Sequence, residues 1–316
     1  MKITLHPYRL EFIFPFRIAH GVRTHTDAVF VELELDGVTA FGEATLPPYL
    51  PYTQKSTLDC LRQIDVSYWD AGFTMGQVLV TLPTSIEPPA RAALDMALWT
   101  LEARIKGTTV PALLGIAGED HSIRTYTIAV CDREEMKDRL AFGKEKGFTT
   151  FKLKLNGKDD ERMVSDFRSM SDAPFAVDAN QAWTTIEQAD RLAGMLTAQG
   201  CILIEQPFHK NDTELTQKVR YSTSLPLIAD EACQGIYDMD RIAGVFDGIN
   251  VKLQKCGGLW AAKELAEKAK TLQMKLLIGC MSESAIGCDA AEALSPLCQW
   301  NDLDGRYLVK AVPFQN

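Results

Sequence analysis

The stretch TFKLKL, residues 150–155, alternates apolar and basic side chains and decides how the rest of the chain is interpreted. In an extended strand, neighbouring side chains point to opposite faces, so Phe151 and the two leucines share one face. Lys152 and Lys154 share the other. The flanking sequence predicts that this strand belongs to a buried parallel sheet, where two ammonium groups are unexpected unless they have a chemical role.

Short apolar segments alternate with polar-faced helical segments along the second part of the chain. This alternation, with nearly continuous apolar strands, is typical of a parallel sheet covered by helices. Eight such strands in about two hundred residues favour a closed barrel. An open doubly wound sheet is the alternative, but the sequence has no GxGxxG or GxxxxGK[ST] phosphate loop. The predicted strands are RTYTIAV, TFKLKL, PFAVDAN, CILIEQP, PLIADEA, GINVKLQK, KLLIGCMSES and LCQWNDLDG.

The chain up to about Gly118 has a different pattern and predicts an α+β unit. AVFVELEL alternates in polarity and is followed by Asp36-Gly37 and TAFGEATL, which predicts a β-hairpin. PPARAALDMALWTLEARIKG has apolar residues at helical spacing, with Gly107 as the stop signal. The polar stretch GIAGEDHS marks the expected boundary between the two parts.

Composition and charge exclude several classes of partner. A net charge of -9 argues against a nucleic-acid groove or an anionic membrane surface, since both need a basic face. No segment approaches the roughly 20 apolar residues of a membrane span, and MKITLHPYRLEF lacks the apolar core of a secretion signal. The 8 cysteines form no CxxC pair, which favours reduced, packed thiols over a disulfide framework. We therefore expect a cytoplasmic protein.

Charged and polar residues recur at the carboxyl ends of the predicted strands. From Lys154 to Lys252 their spacings are 24, 27, 25 and 22 residues, each one strand-plus-helix unit. Because the site of a βα barrel forms at these ends, they should converge on one mouth. The residues in chain order are Thr127, Lys154, Asp178, Glu205, Asp230, Lys252, Ser282, Glu283, Asp302 and Asp304.

Three acids among them, Asp178, Glu205 and Asp230, would repel one another if ionised close together. A hard divalent cation with oxygen ligands removes this repulsion, and Mg²⁺ typically takes a few carboxylates. For any single acid, capping of the following helix is an equally good explanation. Three acids in matching positions on adjacent strands favour the metal.

The lysines on the predicted strands also have alternative explanations that involve no catalysis. Lys152 and Lys154 could form the solvated face of an edge strand, or pair with neighbouring acids as structural ion pairs. The first alternative conflicts with their place inside a βα series. Lys252 lies four strands further on, so it should approach the acids from the opposite side. Two bases facing each other suit proton exchange at a single carbon.

At these residues the sequence resembles the enolase superfamily, and within it the muconate lactonizing enzyme subgroup. The resemblance covers almost the whole chain and rests on the KxK strand, VDANQAW, IEQP, ADEA and VKLQKCGG. It implies an α/β fold, a modified (β/α)₇β TIM-like barrel in residues 119–305. An α+β capping domain of residues 1–118 would be completed by residues 306–316.

The resemblance also implies roles for the strand-end residues. One Mg²⁺ per subunit would be held by the three acids, and Lys154 and Lys252 would be the acid/base pair. Lys152 would assist at the substrate carboxylate. The mandelate racemase branch uses a histidine near the seventh strand, whereas the last of the five histidines here is His209. That branch is therefore disfavoured.

The activities in the lysine–lysine subgroup include cycloisomerisation, dehydration to o-succinylbenzoate, N-acylamino acid racemisation and dipeptide epimerisation. Dipeptide epimerases carry a DxD at the end of the eighth strand, and Asp302 and Asp304 in NDLDG match it. Alternate residues of a strand point to the same face, although a polar turn is a rival explanation. The expected reaction is 1,1-proton transfer at the C-terminal residue's α-carbon, through an enediolate.

The remaining expectations concern substrate contacts and alternatives. FRIAHGVRTHTDAVFVEL resembles the mobile cap loop of the family, so Arg23 would contact an acidic side chain, as in Ala-Glu epimerases. A surface arginine is the alternative. Thr127 and Ser282 are further candidate substrate contacts. The rival functions are an N-acylamino acid racemase, an o-succinylbenzoate synthase and a non-catalytic binding barrel. Relatives are often oligomeric, so a homo-oligomer is compatible with the resemblance.

Overall fold

A computed structural model describes residues 1–18, 21–65, 81–83 and 85–316. Within these residues the chain forms a three-stranded antiparallel sheet with helices, followed by a closed eight-stranded parallel barrel. The first part contains β1 Lys2–Ile18, β2 Gly21–Leu35, β3 Val38–Leu46, α1 Gln54–Arg62, α2 Pro88–Lys106 and α3 Val110–Leu113.

The predicted hairpin is confirmed. Strands β2 and β3 pair antiparallel, with Leu35 opposite Val38 across the Asp36-Gly37 turn. Both turn residues have positive φ, 52° and 80°, as a two-residue turn with matching twist requires. The hairpin gives the first part of the chain a sheet that can lie over the barrel.

Helix α2 packs directly on this sheet. A Cβ added to Gly42 of β3 would lie 1.8 Å from the carbonyl oxygen of Ala93, so only glycine allows this approach. The helix ends at Gly107 in the left-handed conformation, φ 61°, as its sequence predicts.

The second part of the chain forms a closed parallel barrel, which confirms the predicted fold. Around the barrel the strands are β10 (Lys275–Gly279), β11 (Trp300–Asp302), β4 (Ile123–Ile128), β5 (Thr150–Lys154), β6 (Phe175–Asp178), β7 (Cys201–Glu205), β8 (Leu227–Ala229) and β9 (Gly248–Val251). Seven strands are each followed by a helix before the next strand, and the eighth is not, as a (β/α)₇β barrel requires. The elements are β4 Ile123–Ile128, α4 Arg133–Glu145, β5 Thr150–Lys154, α5 Asp160–Arg168, β6 Phe175–Asp178, α6 Ile186–Ala198, β7 Cys201–Glu205, α7 Thr213–Ser222, β8 Leu227–Ala229, α8 Met239–Ile242, β9 Gly248–Val251, α9 Leu253–Cys256, α10 Leu259–Thr271, β10 Lys275–Gly279, α11 Ala285–Glu292 and β11 Trp300–Asp302.

The two faces of β5 separate apolar packing from chemistry. Phe151 and Leu153 are fully buried in the main hydrophobic cluster between barrel and helices. Lys152 and Lys154 are buried on the other face, 1% and 8% exposed. Because β5 pairs with β4 and with β6, the edge-strand alternative for these lysines is wrong.

The C-terminal segment returns to the first sheet. The amide of Ile13 donates to the carbonyl of Leu308 at 2.8 Å, and the amide of Lys310 donates to that of Glu11 at 2.7 Å. The Phe314 ring lies 4.5 Å from the Phe30 ring. These contacts tie the end of the chain to the sheet, while the expected domain boundaries stay a prediction.

Two further expectations concern location. All eight cysteines carry free thiols, as their sequence context predicts. None of the helices in the described part of the chain is long and apolar enough to cross a membrane.

Candidate functional site

A cavity of about 480 Å³ lies at the carboxyl ends of the barrel strands, under the first sheet and the loop that follows β3. Residues from both parts of the chain line it, so the site needs the sheet as well as the barrel. Among the residues predicted from sequence, the following line this cavity: Arg23, Thr127, Lys154, Asp230, Lys252, Ser282, Asp302 and Asp304.

Asp178, Glu205 and Asp230 come together at one side of the barrel mouth. They are 0%, 0% and 5% exposed, and one carboxylate oxygen from each lies within 4.8 Å of the others. Burial and the nearby charge of Asp178 raise the pKa of Glu205 to about 7. Glu205 Oε2 has no hydrogen-bond partner in the described residues. Three buried carboxylates with oxygens this close together fit a hard divalent cation such as Mg²⁺.

The ammonium of Lys152 lies among these acids. Its Nζ is 2.6 Å from Glu205 Oε2, at an angle that gives no hydrogen bond, and donates to Asp302 Oδ2 at 2.6 Å. Burial alone lowers the pKa of Lys152, but the charges of Asp302 and Glu205 outweigh it and hold the pKa well above its usual value. Lys152 is thus a fixed cation at the centre of the site.

Lys154 and Lys252 approach from opposite walls. Strands β5 and β9 are four steps apart in either direction around the closed barrel, and β6, β7 and β8 lie between them on one side. Lys154 Nζ donates to Asp178 at 2.5 Å, and Lys252 Nζ donates to Asp230 at 2.7 Å. The predicted arrangement around the acids is present, and so are the ion pairs considered as the alternative.

Burial acts to lower the pKa of Lys252, but the charges of Asp230 and Glu205 hold it well above its usual value. Similarly, burial acts to raise the pKa of Asp230, yet Lys252 and Lys255 hold it well below its usual value. Anything that takes up the charge of these acids therefore makes it easier for Lys252 to release its proton.

Asp302 and Asp304 both line the cavity, but they do not lie on one face of a strand as expected. Strand β11 ends at Asp302, so Asp304 lies in the following turn rather than two residues along a strand. Asp302 accepts from the Thr125 hydroxyl at 2.7 Å, and Asp304 accepts from the Thr127 amide at 2.6 Å. Burial and the charge of Asp302 raise the pKa of Asp304 to about 7.

Arg23 lies on strand β2 and reaches the cavity from above. Its guanidinium lies 5.6 to 5.8 Å from the ring centroids of Phe12, Phe16 and Tyr49. Its Nε and Nη1 are buried without a hydrogen-bond partner among the described residues, and burial lowers its pKa. The cap loop expected from the sequence is the segment FRIAHGVRTHTDAVFVEL, residues 16–33. Its described residues belong to strands β1 and β2, and residues 19 and 20 lie outside the described residues.

Sequence reasoning missed several buried polar groups around the acids. Lys255 donates to Asp230 Oδ1 at 2.6 Å, and Asn250 donates to Glu205 Oε1 at 2.8 Å. Glu231 also lines the cavity, and burial with the charge of Asp230 raises its pKa to about 8. Lys255 could have been found from its spacing, because three residues after Lys252 is one helical turn.

A second buried pair of acids joins the sheet to the barrel beside Lys252. Glu43 of β3 accepts from the amide of Ser284 at 3.0 Å, and Glu283 accepts from the amide of Met281 at 2.7 Å. The side-chain amide of Gln254 donates to Glu283 at 3.2 Å. Burial raises the pKa of Glu283 to about 7 and also raises that of Glu43.

Comparison with known proteins places this architecture in a family. Residues 135–303 match the family model described as enolase C-terminal domain-like. Residues 2–115 match the N-terminal domain of mandelate racemase / muconate lactonizing enzyme. The chain belongs to the enolase superfamily.

The chain is 34% identical over 314 residues to the L-Ala-D/L-Glu epimerase of Bacteroides thetaiotaomicron. The aligned region covers 98% of this chain and 81% of that relative. The chain is also 32% identical over 292 residues to the L-Ala-D/L-Glu epimerase of Escherichia coli, and this alignment covers 92% of this chain and 89% of that relative. A solved dipeptide epimerase from Enterococcus faecalis, complexed with Mg and the dipeptide L-Leu-L-Tyr, superposes with a TM-score of 0.90. That comparison has 26% identity and covers 99% of this chain and 92% of the other. The predicted family resemblance is confirmed.

Proposed function

We propose that this protein is a Mg²⁺-dependent dipeptide epimerase that inverts the α-carbon of the C-terminal residue. The observation that carries the proposal is the placement of Lys154 and Lys252 on opposite walls of one cavity, with an acid cluster between them. The similarity to curated L-Ala-D/L-Glu epimerases supports a dipeptide as the substrate. An L-Ala-D/L-Glu type dipeptide is the leading candidate.

Asp178, Glu205 and Asp230 would hold one Mg²⁺ per subunit. The ion would supply positive charge to the carboxylate of the substrate, which makes the neighbouring α-proton easier to remove. Lys152 is the second cation at that place, since its ammonium lies 2.6 Å from Glu205 and from Asp302. It would hold a substrate carboxylate oxygen without exchanging a proton.

The two remaining lysines would carry the proton. One of them, neutral, takes the α-proton from its side, and the electron pair of the broken C–H bond moves into the carboxylate. The other, protonated, delivers a proton to the opposite face of the same carbon, so the configuration inverts. Reversal of the roles of Lys154 and Lys252 allows both directions of epimerisation.

The N-terminal ammonium of the dipeptide would bind at the end of β11. Asp304 offers an oxygen on the cavity wall, while Asp302 is already engaged by Lys152 and Thr125. We therefore infer that Asp304 is the stronger ammonium contact of the two. Thr127 and Ser282 complete the same wall of the cavity as proposed substrate contacts.

Arg23 would bind an acidic side chain at the C-terminal position. Arg23 lines the cavity, and its Nε and Nη1 are buried without a hydrogen-bond partner among the described residues. A guanidinium fork suits a carboxylate in two parallel hydrogen bonds. Removal of the charge in Arg23→Met should weaken use of L-Ala-L-Glu by about tenfold to a hundredfold while sparing L-Ala-L-Leu.

The test is incubation of L-Ala-L-Glu with the protein and Mg²⁺ in D₂O, with the α-proton of the glutamate followed by NMR. We expect loss of that signal and appearance of the D-epimer. Lys154→Ala and Lys252→Ala should each abolish epimerisation, and full turnover in either variant would refute the two-base scheme. No deuterium uptake across a broad panel of dipeptides would refute the assignment itself.

A racemase of N-acylamino acids is the rival on the same scaffold, and the ammonium separates it from the proposal. An epimerase should act on L-Ala-L-Glu far better than on N-acetyl-L-glutamate, and Asp304→Asn should remove most of this preference. Equal use of both substrates by the wild-type protein would favour the racemase.

We further propose a cytoplasmic location, which the eight free thiols support. We also propose that residues 306–316 complete the cap, since the backbone after Gly305 bonds to the first sheet.

A further inference from the structure

A buried glutamine with an unusual backbone conformation follows the acid at the end of β7. Gln206 comes directly after Glu205, is 0% exposed and has φ 35°, which non-glycine residues rarely adopt. In the described part of the chain, five non-glycine residues have positive φ, and Asn180, Gln181 and Gln206 are three of them. Such conformations persist only where the surrounding contacts hold them, and they cluster at functional sites.

The side-chain amide of Gln206 is bonded entirely to backbone groups. Its Oε1 accepts from the amides of Asp230 and Ala232, both at 3.0 Å. Its Nε2 donates to the carbonyl of Phe208 at 3.0 Å. Because a backbone N–H can only donate and a backbone carbonyl can only accept, these partners fix the orientation of the amide. The side chain therefore ties the loop after β7 to the loop after β8, at the acid Asp230 itself.

The backbone of Gln206 makes two further connections. Its amide donates to the carbonyl of Ile228 in β8 at 2.9 Å, and its carbonyl accepts from the amide of Gln181 at 2.9 Å. Gln181 belongs to the loop after β6. A single residue thus joins the carboxyl ends of three neighbouring strands, and each of those ends carries one acid of the metal site.

The spacing of these acids matters for the size of the cation. Mg²⁺ requires nearly octahedral ligands at about 2.0 to 2.1 Å, whereas Ca²⁺ accepts flexible geometries at about 2.3 to 2.6 Å. Asp178, Glu205 and Asp230 each offer one oxygen, and these oxygens lie within 4.8 Å of one another. A small change in the distance between strand ends therefore costs Mg²⁺ more than it costs Ca²⁺.

We propose that Gln206 is a positioning residue that fixes Asp230 relative to the other two acids and so sets the preference of the site for a small cation. This inference rests on the proposed function for the identity of the ion, while the connection between the loops belongs to the chain itself. Without the side-chain amide, the amides of Asp230 and Ala232 lose a buried acceptor, which is costly. The loop after β8 then shifts to find other acceptors and carries Asp230 with it.

The test measures binding of Mg²⁺ alone and of Ca²⁺ alone by isothermal titration calorimetry, for the wild type and for Gln206→Met. Methionine has a similar length but cannot replace the three hydrogen bonds. We expect the dissociation constant of Mg²⁺ to rise by about tenfold to a hundredfold, as is typical when a group supporting a metal ligand is lost. The dissociation constant of Ca²⁺ should change by less than about threefold, because its coordination is more tolerant.

Gln188→Met is the matched control. The amide of Gln188 also bonds backbone groups of two loops, donating to the Gly157 carbonyl at 2.9 Å and accepting from the Thr184 amide at 3.1 Å. These hydrogen bonds reach neither the loop after β7 nor the loop after β8. The ratio of the two dissociation constants in Gln188→Met should therefore equal that of the wild type.

A role of Gln206 in packing alone predicts that both ions lose affinity by the same factor, or that neither does. A wild-type ratio of the two constants in Gln206→Met, or a ratio shifted towards Mg²⁺, overturns the proposal. If Gln206→Met does not fold, Gln206→Asn, which withdraws the amide by one methylene group, takes its place with the same expectations. A wild type that binds Mg²⁺ but leaves dipeptides unchanged would refute the proposed function, whereas the comparison of the two ions would still decide the role of Gln206.

Discussion

The buried acids Glu43 and Glu283 at the contact between sheet and barrel make the stability of the protein depend on pH. Burial raises the pKa of Glu43, while hydrogen bonds from the amide and the hydroxyl of Ser284 and from the Thr45 hydroxyl favour its ionised form and oppose part of that rise. Glu283 has fewer donors, and burial together with the charge of Glu43 raises its pKa from 4.5 to about 7. Glu283 therefore titrates between pH 5 and pH 8.

The sign and size of the effect follow from this shift. A carboxyl group that binds its proton more tightly in the folded state stabilises the fold below its unfolded pKa, and this stabilisation is lost as pH rises through the folded value. Since each pKa unit corresponds to about 1.4 kcal/mol, Glu283 should contribute about 2 to 3 kcal/mol less at pH 8 than at pH 5. Glu283→Gln removes this titration and keeps the shape of the side chain.

The assay is urea unfolding of the wild type and of Glu283→Gln at several pH values between 5 and 8, with EDTA present. We expect the free energy of unfolding of the variant to rise relative to the wild type by about 2 to 3 kcal/mol across this range. A constant offset from an altered hydrogen bond with Gln254 cancels in the comparison. The exposed control Glu264→Gln should show no such change, and parallel pH profiles of wild type and Glu283→Gln would refute the reasoning.

Three further predictions concern packing and the metal. Gly42→Ala should destabilise the protein by about 3 kcal/mol or more in urea unfolding, because the new methyl group meets the carbonyl of Ala93 at 1.8 Å. Phe314→Ala should lower the free energy of unfolding by about 2 kcal/mol, since its ring contacts those of Tyr8, Phe30 and Phe41. Mg²⁺ at a hundred times its dissociation constant should stabilise the protein by about 2.7 kcal/mol, and EDTA should abolish both this gain and any deuterium exchange. An unchanged midpoint in the thermal or urea transition would contradict each of these.

Much of the fold could be predicted from the sequence because its patterns are local. The alternation of TFKLKL, the turn at Asp36-Gly37 and the stop at Gly107 each depend on backbone conformations that a few neighbouring residues decide. The regular spacing from Lys154 to Lys252 placed the charged residues at the carboxyl ends of successive strands. Because a barrel brings those ends together, the acids and lysines could be assigned to one mouth.

The partners of each charged group were decided by the tertiary structure alone. The sequence shows Asp302 and Asp304 as an equivalent pair, whereas the structure gives one to Lys152 and leaves the other in a turn beyond β11. It also brings Lys255 to Asp230 and joins Glu43 to the loop of Glu283, across 25 and about 240 residues of chain. Such contacts depend on how helices and loops pack, which no local pattern records.

What the sequence determined and what the tertiary structure decided differ in the distance over which the responsible interactions act. Periodicity and turn residues act over a few positions, so the sequence by itself determined the strands, the barrel and the side of it on which the charges gather. Hydrogen-bond saturation, burial and the resulting pKa values are properties of a three-dimensional neighbourhood. Only the folded chain could therefore decide which partners each buried lysine and each buried acid has.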